Sequence, residues 1–211
     1  MFWLGVVMSA RRVRVFIDFW NFQLSWNDAS SGAKCDWRAL PGAILGATAD
    51  VLKTVQILDP LDLEETLLYA SVDPERDGNL RNWLNNTVDR FPSWRVSVLE
   101  RRPRPKQLHC RHCGETTSQC PRCQTAFVGK PEKGVDSTLV TDMLSLAWQG
   151  AFDIAVLVSS DADFVPAVER IQASGLKVIN AAWASKGHHL KAACWGSFDL
   201  NESISSLVRP S

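Results

Sequence analysis

Strand-like and helix-like segments alternate along this 211-residue chain, and this alternation limits the possible folds more than any other feature. Five short segments have the length and apolar pattern of strands, and five others repeat their apolar residues at helical spacing. Such alternation is typical of an α/β domain with a mostly parallel sheet that is covered on both faces. The expected strands are 13–19, 65–72, 94–100, 153–159 and 176–183, and the expected helices are 37–54, 74–91, 136–150, 163–175 and 187–194.

The composition is that of an ordinary globular protein without a global charge. Lys plus Arg and Asp plus Glu each total 23, so the chain has no overall basic field for attracting nucleic acid. Any binding of a polyanion must therefore depend on a local concentration of positive charge.

The N-terminal stretch does not have the order of a secretory signal. Its short apolar run precedes Arg11, Arg12 and Arg14, whereas a signal peptide places its positive charges first. No segment approaches the roughly 20 apolar residues of a membrane-spanning helix. We therefore expect a cytoplasmic protein without a membrane partner, in which residues 1–9 form an extension and Met8 is an alternative start.

Acidic residues follow the expected strands at the end where α/β proteins bind ligands. Asp18 ends the first strand and Asn21 lies in the loop after it, while Asp161 and Asp163 follow the strand 153–159. Asp136 stands at the start of the expected helix 136–150, which comes directly before the strand 153–159. Because the carboxyl ends of parallel strands share one edge of the sheet, we expect these carboxylates to converge there.

Converging carboxylates repel one another and require a cation. Oxygen ligands of this kind suit Mg²⁺ or Mn²⁺, which can activate water and stabilise charge on a phosphate. Asn21 could bond a metal-bound water or a phosphate oxygen, and Lys133 could offset the negative charge. Each acid also has a simpler interpretation, because Asp136 and either Asp161 or Asp163 could serve only as helix N-caps.

Three motifs, "FIDFWNF", "EKGVDSTLVTDML" and "VLVSSDADFVPAVERIQASGLKV", together resemble those of NYN-domain proteins, a branch of the PIN-like nuclease superfamily. The resemblance extends from about Val13 to Trp183 and implies a Rossmann-like, three-layer α/β/α domain with a metal-dependent ribonuclease site. Ala162 stands where a glycine is common in the family. The residues that the resemblance assigns to the site are Asp18, Asn21, Lys133, Asp136, Asp142, Ser160, Asp161 and Asp163.

Asp142 is the weakest member of this set on geometric grounds. Six residues along an α-helix is a rotation of about 600°, so Asp142 would point roughly 120° away from Asp136 if both are helical. The two can approach only if Asp136 is the cap; otherwise Asp142 is a solvated surface acid.

Four of the six cysteines form two C-x2-C pairs in "CRHCGETTSQCPRC". This spacing predicts a structural Zn²⁺ site made by Cys110, Cys113, Cys120 and Cys123, with two disulfides as the alternative. His109 or His112 could replace a cysteine, although surface positions suit both better. We treat residues 104–126 as a zinc-binding insertion into one domain that spans 10–205.

Basic residues surround this insertion. They could grip RNA beside the acidic crevice, since phosphate contacts supply affinity, or the insertion could be a stabilising element or a homodimer contact. The residues concerned are Arg101, Arg102, Arg104, Lys106, Arg111 and Arg122.

The function expected from these features is a divalent-metal-dependent endoribonuclease that acts on single-stranded RNA. The alternative is a non-catalytic RNA-binding or adaptor protein on the same fold. A phosphatase or nucleotide hydrolase is a weaker possibility, because the first strand ends in Asp18-Phe19-Trp20 and lacks a second acid.

Overall fold

The computed structural model describes residues 9–209, so the expected extension 1–9, apart from residue 9, and the start at Met8 lie outside the described residues. The described chain has ten strands and seven α-helices. The strands are β1 (Arg11–Asp18), β2 (Leu61–Val72), β3 (Trp94–Glu100), β4 (Arg104–Pro105), β5 (Leu108–His109), β6 (Thr116–Thr117), β7 (Val128–Gly129), β8 (Ile154–Val158), β9 (Lys177–Ala182) and β10 (Gly196–Asp199). The helices are α1 (Phe19–Ala29), α2 (Leu40–Lys53), α3 (Gly78–Asn86), α4 (Val135–Trp148), α5 (Val165–Ala173), α6 (His188–Ala193) and α7 (Ile204–Leu207), and short 3₁₀ helices are Val88–Arg90, Ala162–Phe164 and Leu200–Ser203.

Six of the strands form one parallel sheet in the order β10-β9-β8-β1-β2-β3. The chain builds outward from β1 to β3, returns through α4 to β8 beside β1, and then builds outward in the other direction. This is the doubly wound order of Rossmann-like domains. The expected α/β fold with a parallel central sheet is confirmed.

Both faces of the sheet are buried, as the apolar strand sequences require. Along β1 the side chains alternate between two cores: Val15 and Ile17 pack in the core under α1, α2 and α3, and Phe16 packs in the core under α4, α5 and α6. In β8, Val156 and Leu157 divide between the same two cores. The period of two along each strand thus places a hydrophobic layer on each side of the sheet.

The structure also contains elements that the sequence analysis did not predict. The first strand was expected to reach residue 19, with Asn21 in a loop after it, but β1 ends at Asp18 and residues 19–29 form α1, which buries Phe19, Phe22 and Trp26. Strand β10 lacks an apolar run, and it forms because its backbone pairs with the edge of β9.

The cysteine-containing segment leaves the sheet after β3 and returns before α4. Its two ends pair as the antiparallel strands β4 and β7, with Arg104 opposite Gly129, and β5 and β6 form a second short pair. Lys130 fastens the returning end to the loop after β2, since its Nζ donates to Asp73 at 2.9 Å and to Glu75 at 2.5 Å. We call residues 104–129 the insertion.

Among residues 9–209 there is no helix with the length and apolar character needed to cross a membrane.

We expect Leu157→Ala to lower the free energy of unfolding by about 2–5 kcal/mol, because it leaves a cavity in the core. Leu157 is 0% exposed on a central strand. Chemical denaturation monitored by circular dichroism measures the change. Leu58→Ala is the matched control, because Leu58 is 72% exposed and its loss should change the free energy by no more than about 0.5 kcal/mol. Equal effects of the two substitutions would contradict the described core.

Candidate active site

The direction of chain progression reverses between β1 and β8. These strands pair in parallel from Val13 and Ile154 to Ile17 and Val158, so Asp18 and Ser159 follow at adjacent positions on the same edge of the sheet. The connection after β1 leads toward β2, and the connection after β8 leads toward β9. A crevice therefore opens between the two loops, at the position where α/β sheets bind ligands.

Asp18 lies at the base of this crevice and is only 8% exposed. It is the N-cap of α1, with its Oδ1 accepting the backbone N–H of Asn21 at 3.3 Å. Its Oδ2 accepts a hydrogen bond from Ser159 Oγ at 3.3 Å. Two bonds thus fix the carboxyl group across the β1–β8 pair.

Asn21 belongs to the first turn of α1, which corrects the expected loop position. Its side-chain Oδ1 accepts the backbone N–H of Ser160 at 3.0 Å, so Asn21 ties the start of α1 to the loop after β8.

Hydrogen bonds within the loop 159–163 hold its acids in place. The backbone N–H of Asp161 donates to Ser159 Oγ at 3.2 Å, and that of Asp163 donates to Asp161 Oδ1 at 2.9 Å. Asp161 is thus the N-cap of the 3₁₀ helix that follows. The buried Oγ of Ser160 has no partner within the described chain.

Two residues outside this loop, Asn180 and Gly187, contact its backbone. Asn180 is fully buried on β9 and donates from Nδ2 to the carbonyl oxygens of Leu157 and Ser159 at 3.0 and 2.9 Å. Gly187 has a φ of +73°, and a Cβ at this position would lie 3.0 Å from Ser160 Cα. The residue at 187 must therefore be glycine for the chain to pass this close to the loop.

The charges of the acids act on one another. The pKa of Asp18 is raised to about 6, mainly by burial and also by the negative charges of Asp136 and Glu132, while its hydrogen bonds to Asn21 and Ser159 act in the lowering direction. The pKa of Asp136 is also raised, first by burial and then by Asp161, Glu132 and Asp163. Asp136 and Glu132 thus act on Asp18, and Asp136 is in turn affected by the charges of Asp161 and Asp163.

Glu132 was not identified from the sequence. Its only signal was its place in "EKGVD", directly before Lys133 and four residues before Asp136. The Arg101 side chain lies near it, with Nη2 3.7 Å from Glu132 Oε2.

Asp136 lies in the first turn of α4, whose N-cap is Gly134 without a side-chain cap bond. The capping interpretation of Asp136 is therefore wrong. Because Asp136 and Asp142 are both helical, they point in different directions, as the rotation of the helix requires. Asp142 accepts a hydrogen bond from the Tyr69 hydroxyl at 2.8 Å, on the side of the helix that faces β2 and β3.

The basic residues at the two ends of the insertion divide into two groups. Arg101 is engaged with the protein, because its Nε donates to Ser71 Oγ at 2.9 Å and its guanidinium lies 5.2 Å from the Trp20 ring centre. Arg102, Arg104 and Lys133 instead line a cleft of about 490 Å³.

Glu100 is the acid in the lining of this cleft, and it already forms an ion pair of 2.7 Å with Arg81. Lys106, Arg111 and Arg122 lie on the exposed surface of the insertion.

The two C-x2-C pairs form similar turns. In the first turn, the backbone N–H of Cys110 donates to the carbonyl of Glu115, and that of Gly114 donates to the carbonyl of Cys110. In the second turn, the N–H groups of Cys120 and Gln124 donate to the carbonyls of Thr125 and Cys120. Both turns end on a residue with positive φ, Gly114 and Gln124.

All six cysteines are free thiols. Backbone N–H groups of Cys113 and His112 lower the pKa of Cys110, and the Thr125 side chain is the main cause that lowers that of Cys123. These contacts favour thiolates, which are the form that binds metal.

Across residues 9–209 no three His, Cys, Asp or Glu side chains are gathered closely enough to hold a metal ion as they stand. The acids affect one another's pKa values without forming such a group, and the thiols contact each other in two pairs.

We expect Asp18→Asn to stabilise the metal-free protein more at pH 8 than at pH 4. The pKa of this carboxyl group rises from 3.8 to about 6 on folding. Its contribution to the free energy of unfolding is therefore fully present below pH 3.8 and is lost as the pH rises through about 6. The amide carries no charge, so the gain of the variant over wild type should be larger at pH 8 by about 2–3 kcal/mol. Urea denaturation in EDTA at both pH values measures it, and an equal gain at both would contradict the raised pKa.

Comparison with solved structures supports the fold. A Vibrio parahaemolyticus protein of unknown function is similar to this chain with a TM-score of 0.54 and 16% identity, over 90% of this chain and 93% of the other. At this identity the likeness concerns the fold alone. No curated protein matches the chain. The profile of the NYN domain matches residues 62–201, more than half of the sequence, and the chain therefore belongs to the NYN domain family of the PIN-like nuclease superfamily.

Proposed function

We propose that this protein is a divalent-metal-dependent endoribonuclease. The observation that carries the proposal is the parallel pairing of β1 with β8, with Ser159 Oγ bonded to Asp18 at 3.3 Å, which supports a shared site for acids of three separate segments at this end of the sheet. Those acids are Asp18, Asp136, Asp161 and Asp163, and the membership in a nuclease superfamily gives a shared site a chemical meaning.

The chemistry of the donors fits Mg²⁺ or Mn²⁺. All four groups are carboxylates, the ligand type that these ions prefer. Asp18 and Asp136 have raised pKa values because burial and like charges disfavour their ionised forms, and a cation would relieve both effects. The unpartnered Ser160 Oγ adds an oxygen beside them. A bound ion would lower the pKa of a water molecule and stabilise charge on a phosphate.

The chain itself positions the groups. Asp18 is fixed by its bonds to Asn21 and Ser159, so its carboxyl group is held before any ligand arrives. Asn21 holds the backbone of Ser160 and thereby sets the position of the loop that carries Asp161. We assign Glu132 to the same site, with Arg101 placing it.

The substrate strand would be held by phosphate contacts beside the acids. Arg102, Arg104 and Lys133 line one cleft, and Lys133 lies three residues before Asp136. We propose that this cleft binds phosphates of single-stranded RNA, with Lys106, Arg111 and Arg122 on the insertion extending the contact. Arg101 contributes mainly through the residues it orders.

We expect Asp18→Asn and Asp161→Asn to lower RNA cleavage by about 100-fold or more, the scale of losing one charge-stabilising group. The assay uses purified protein and labelled single-stranded RNA with Mn²⁺, and EDTA should abolish cleavage. Asp62→Asn is the matched control, because Asp62 is exposed at the start of β2, at the opposite edge of the sheet. Asp142→Asn should have a milder effect than the site variants, because Asp142 is bonded to Tyr69.

Cleavage that survives EDTA or either site variant would contradict the metal-dependent mechanism. RNA binding without cleavage of single-stranded or duplex RNA would favour the non-catalytic RNA-binding alternative instead.

We further propose that Cys110, Cys113, Cys120 and Cys123 bind one structural Zn²⁺. The two similar turns present their thiols in pairs, and the contacts that favour thiolates are those a zinc site uses. On this proposal residues 10–205 form one domain that a zinc-binding segment, 104–126 within the insertion, interrupts, in a protein of the reducing cytoplasm.

We expect elemental analysis to find about one zinc per chain and Cys113→Ser to remove most of it, since three remaining thiolates bind more weakly. Cys194→Ser is the control, because Cys194 is isolated from the pairs and burial raises the pKa of its thiol to about 12. Zinc content that is unchanged in Cys113→Ser would contradict the assignment.

A further inference from the structure

A second cleft, of about 590 Å³, lies away from the acids between α1, the segment before α2, and α3. None of its lining residues belongs to the proposed catalytic site. Its lining comprises Gln23, Lys34, Cys35, Asp36, Trp37, Arg38, Trp83, Thr87, Phe91 and Arg209.

Three cations line this cleft: Lys34 and Arg38 come from the segment before α2, and Arg209 comes from the C-terminal segment. The segment around Cys35 pairs with the C-terminal segment around Val208 in antiparallel fashion, and the N–H of Arg209 donates to the carbonyl of Lys34 at 2.8 Å. This pairing sets the exposed side chains of Lys34 and Arg209 on neighbouring backbone positions. Like charges so placed destabilise a strand pair unless an anion lies between them.

The cations of the cleft lack acidic partners. Within residues 9–209, none of Lys34, Arg38 and Arg209 forms an ion pair. Asp36 is the acid in the lining, and its Oδ1 already accepts the backbone N–H groups of Arg38 and Ala39 at 3.0 and 3.3 Å. The cleft therefore has an excess of positive charge.

Aromatic side chains form the other part of the lining. Trp37 and Trp83 contact each other with ring centres 5.7 Å apart, and the Arg38 guanidinium lies 4.7 Å from the centre of Phe91. Trp83 and Phe91 are partly exposed, so flat apolar surface is available next to the cations. Arg38 and Phe91 also line an adjoining cavity of about 400 Å³ that contains Arg90.

We propose that this cleft binds a nucleotide, with its phosphate on Lys34, Arg38 and Arg209 and its base against the aromatic side chains. Arginine suits the bidentate recognition of phosphate, and bases stack on aromatic rings whatever their sequence. The nucleotide can be a free mononucleotide or one unit of an RNA strand, since both present the same chemistry. The site is independent of the proposed cleavage reaction.

The test measures binding of AMP by calorimetry and of a short fluorescent RNA by anisotropy, both in EDTA so that metal-dependent cleavage plays no part. The double substitution Lys34→Ala and Arg209→Ala should weaken binding by about tenfold for each lost contact to phosphate. Adenosine, which lacks the phosphate, should bind more weakly than AMP. Thr87→Glu, at an exposed lining position, should weaken binding through its negative charge without disturbing the core.

The matched control removes two exposed cations elsewhere, with Lys53→Ala and Arg170→Ala. Weakened AMP binding in the cleft variants alone identifies a free nucleotide as the ligand, and weakened RNA binding without AMP binding identifies a strand. Binding of both probes that is equal in the cleft and control variants, or binding of neither probe by the wild type, would overturn the proposal. Circular dichroism confirms that each variant is folded.

Discussion

The parallel pairing of β1 with β8 is the constraint on which the candidate site depends. These strands are distant in sequence, and their register puts Asp18 beside Ser159 at one edge of the sheet. The chain leaves the two strands in opposite directions, so no connection fills the space above them. The loops that follow the strands of the first and last motifs lie side by side there because these two strands are neighbours, and Ser159 Oγ donates to Asp18 at 3.3 Å.

This arrangement costs stability, and the structure offsets only part of the cost. Asp18 is desolvated at the base of the crevice and faces the charges of Asp136 and Glu132. Its two hydrogen bonds favour the ionised form, but the net effect of the surroundings still raises its pKa. The two hydrophobic cores hold the strands together despite this cost. Local penalties of this kind are characteristic of functional sites in otherwise consistent folds.

The insertion is joined to the rim of the crevice rather than attached by a flexible linker. Lys130 bonds Asp73 and Glu75 in the loop after β2, and Arg101 bonds Ser71 and lies over Trp20 on α1. The same elements that present Asp18 thus support the base of the insertion. The insertion is therefore held in a fixed position relative to β2 and α1.

The alternation of strands and helices, the parallel sheet and an acid at the end of β1 could be predicted from the sequence, because the hydrophobic period and the order of elements can be read along the chain. The sequence did not reveal α1 or β10: the first strand was expected to reach residue 19 with Asn21 in a loop after it, and β10 is stabilised by pairing rather than by its own pattern. The neighbours of each acid could not be predicted in this way, because the packing of the elements places the charge of Glu132 near Asp18 and bonds Asp142 to the Tyr69 hydroxyl. The tertiary structure also brought Lys34 next to Arg209, from distant parts of the chain. Such contacts depend on how elements pack in three dimensions, and no local pattern in one sequence encodes them.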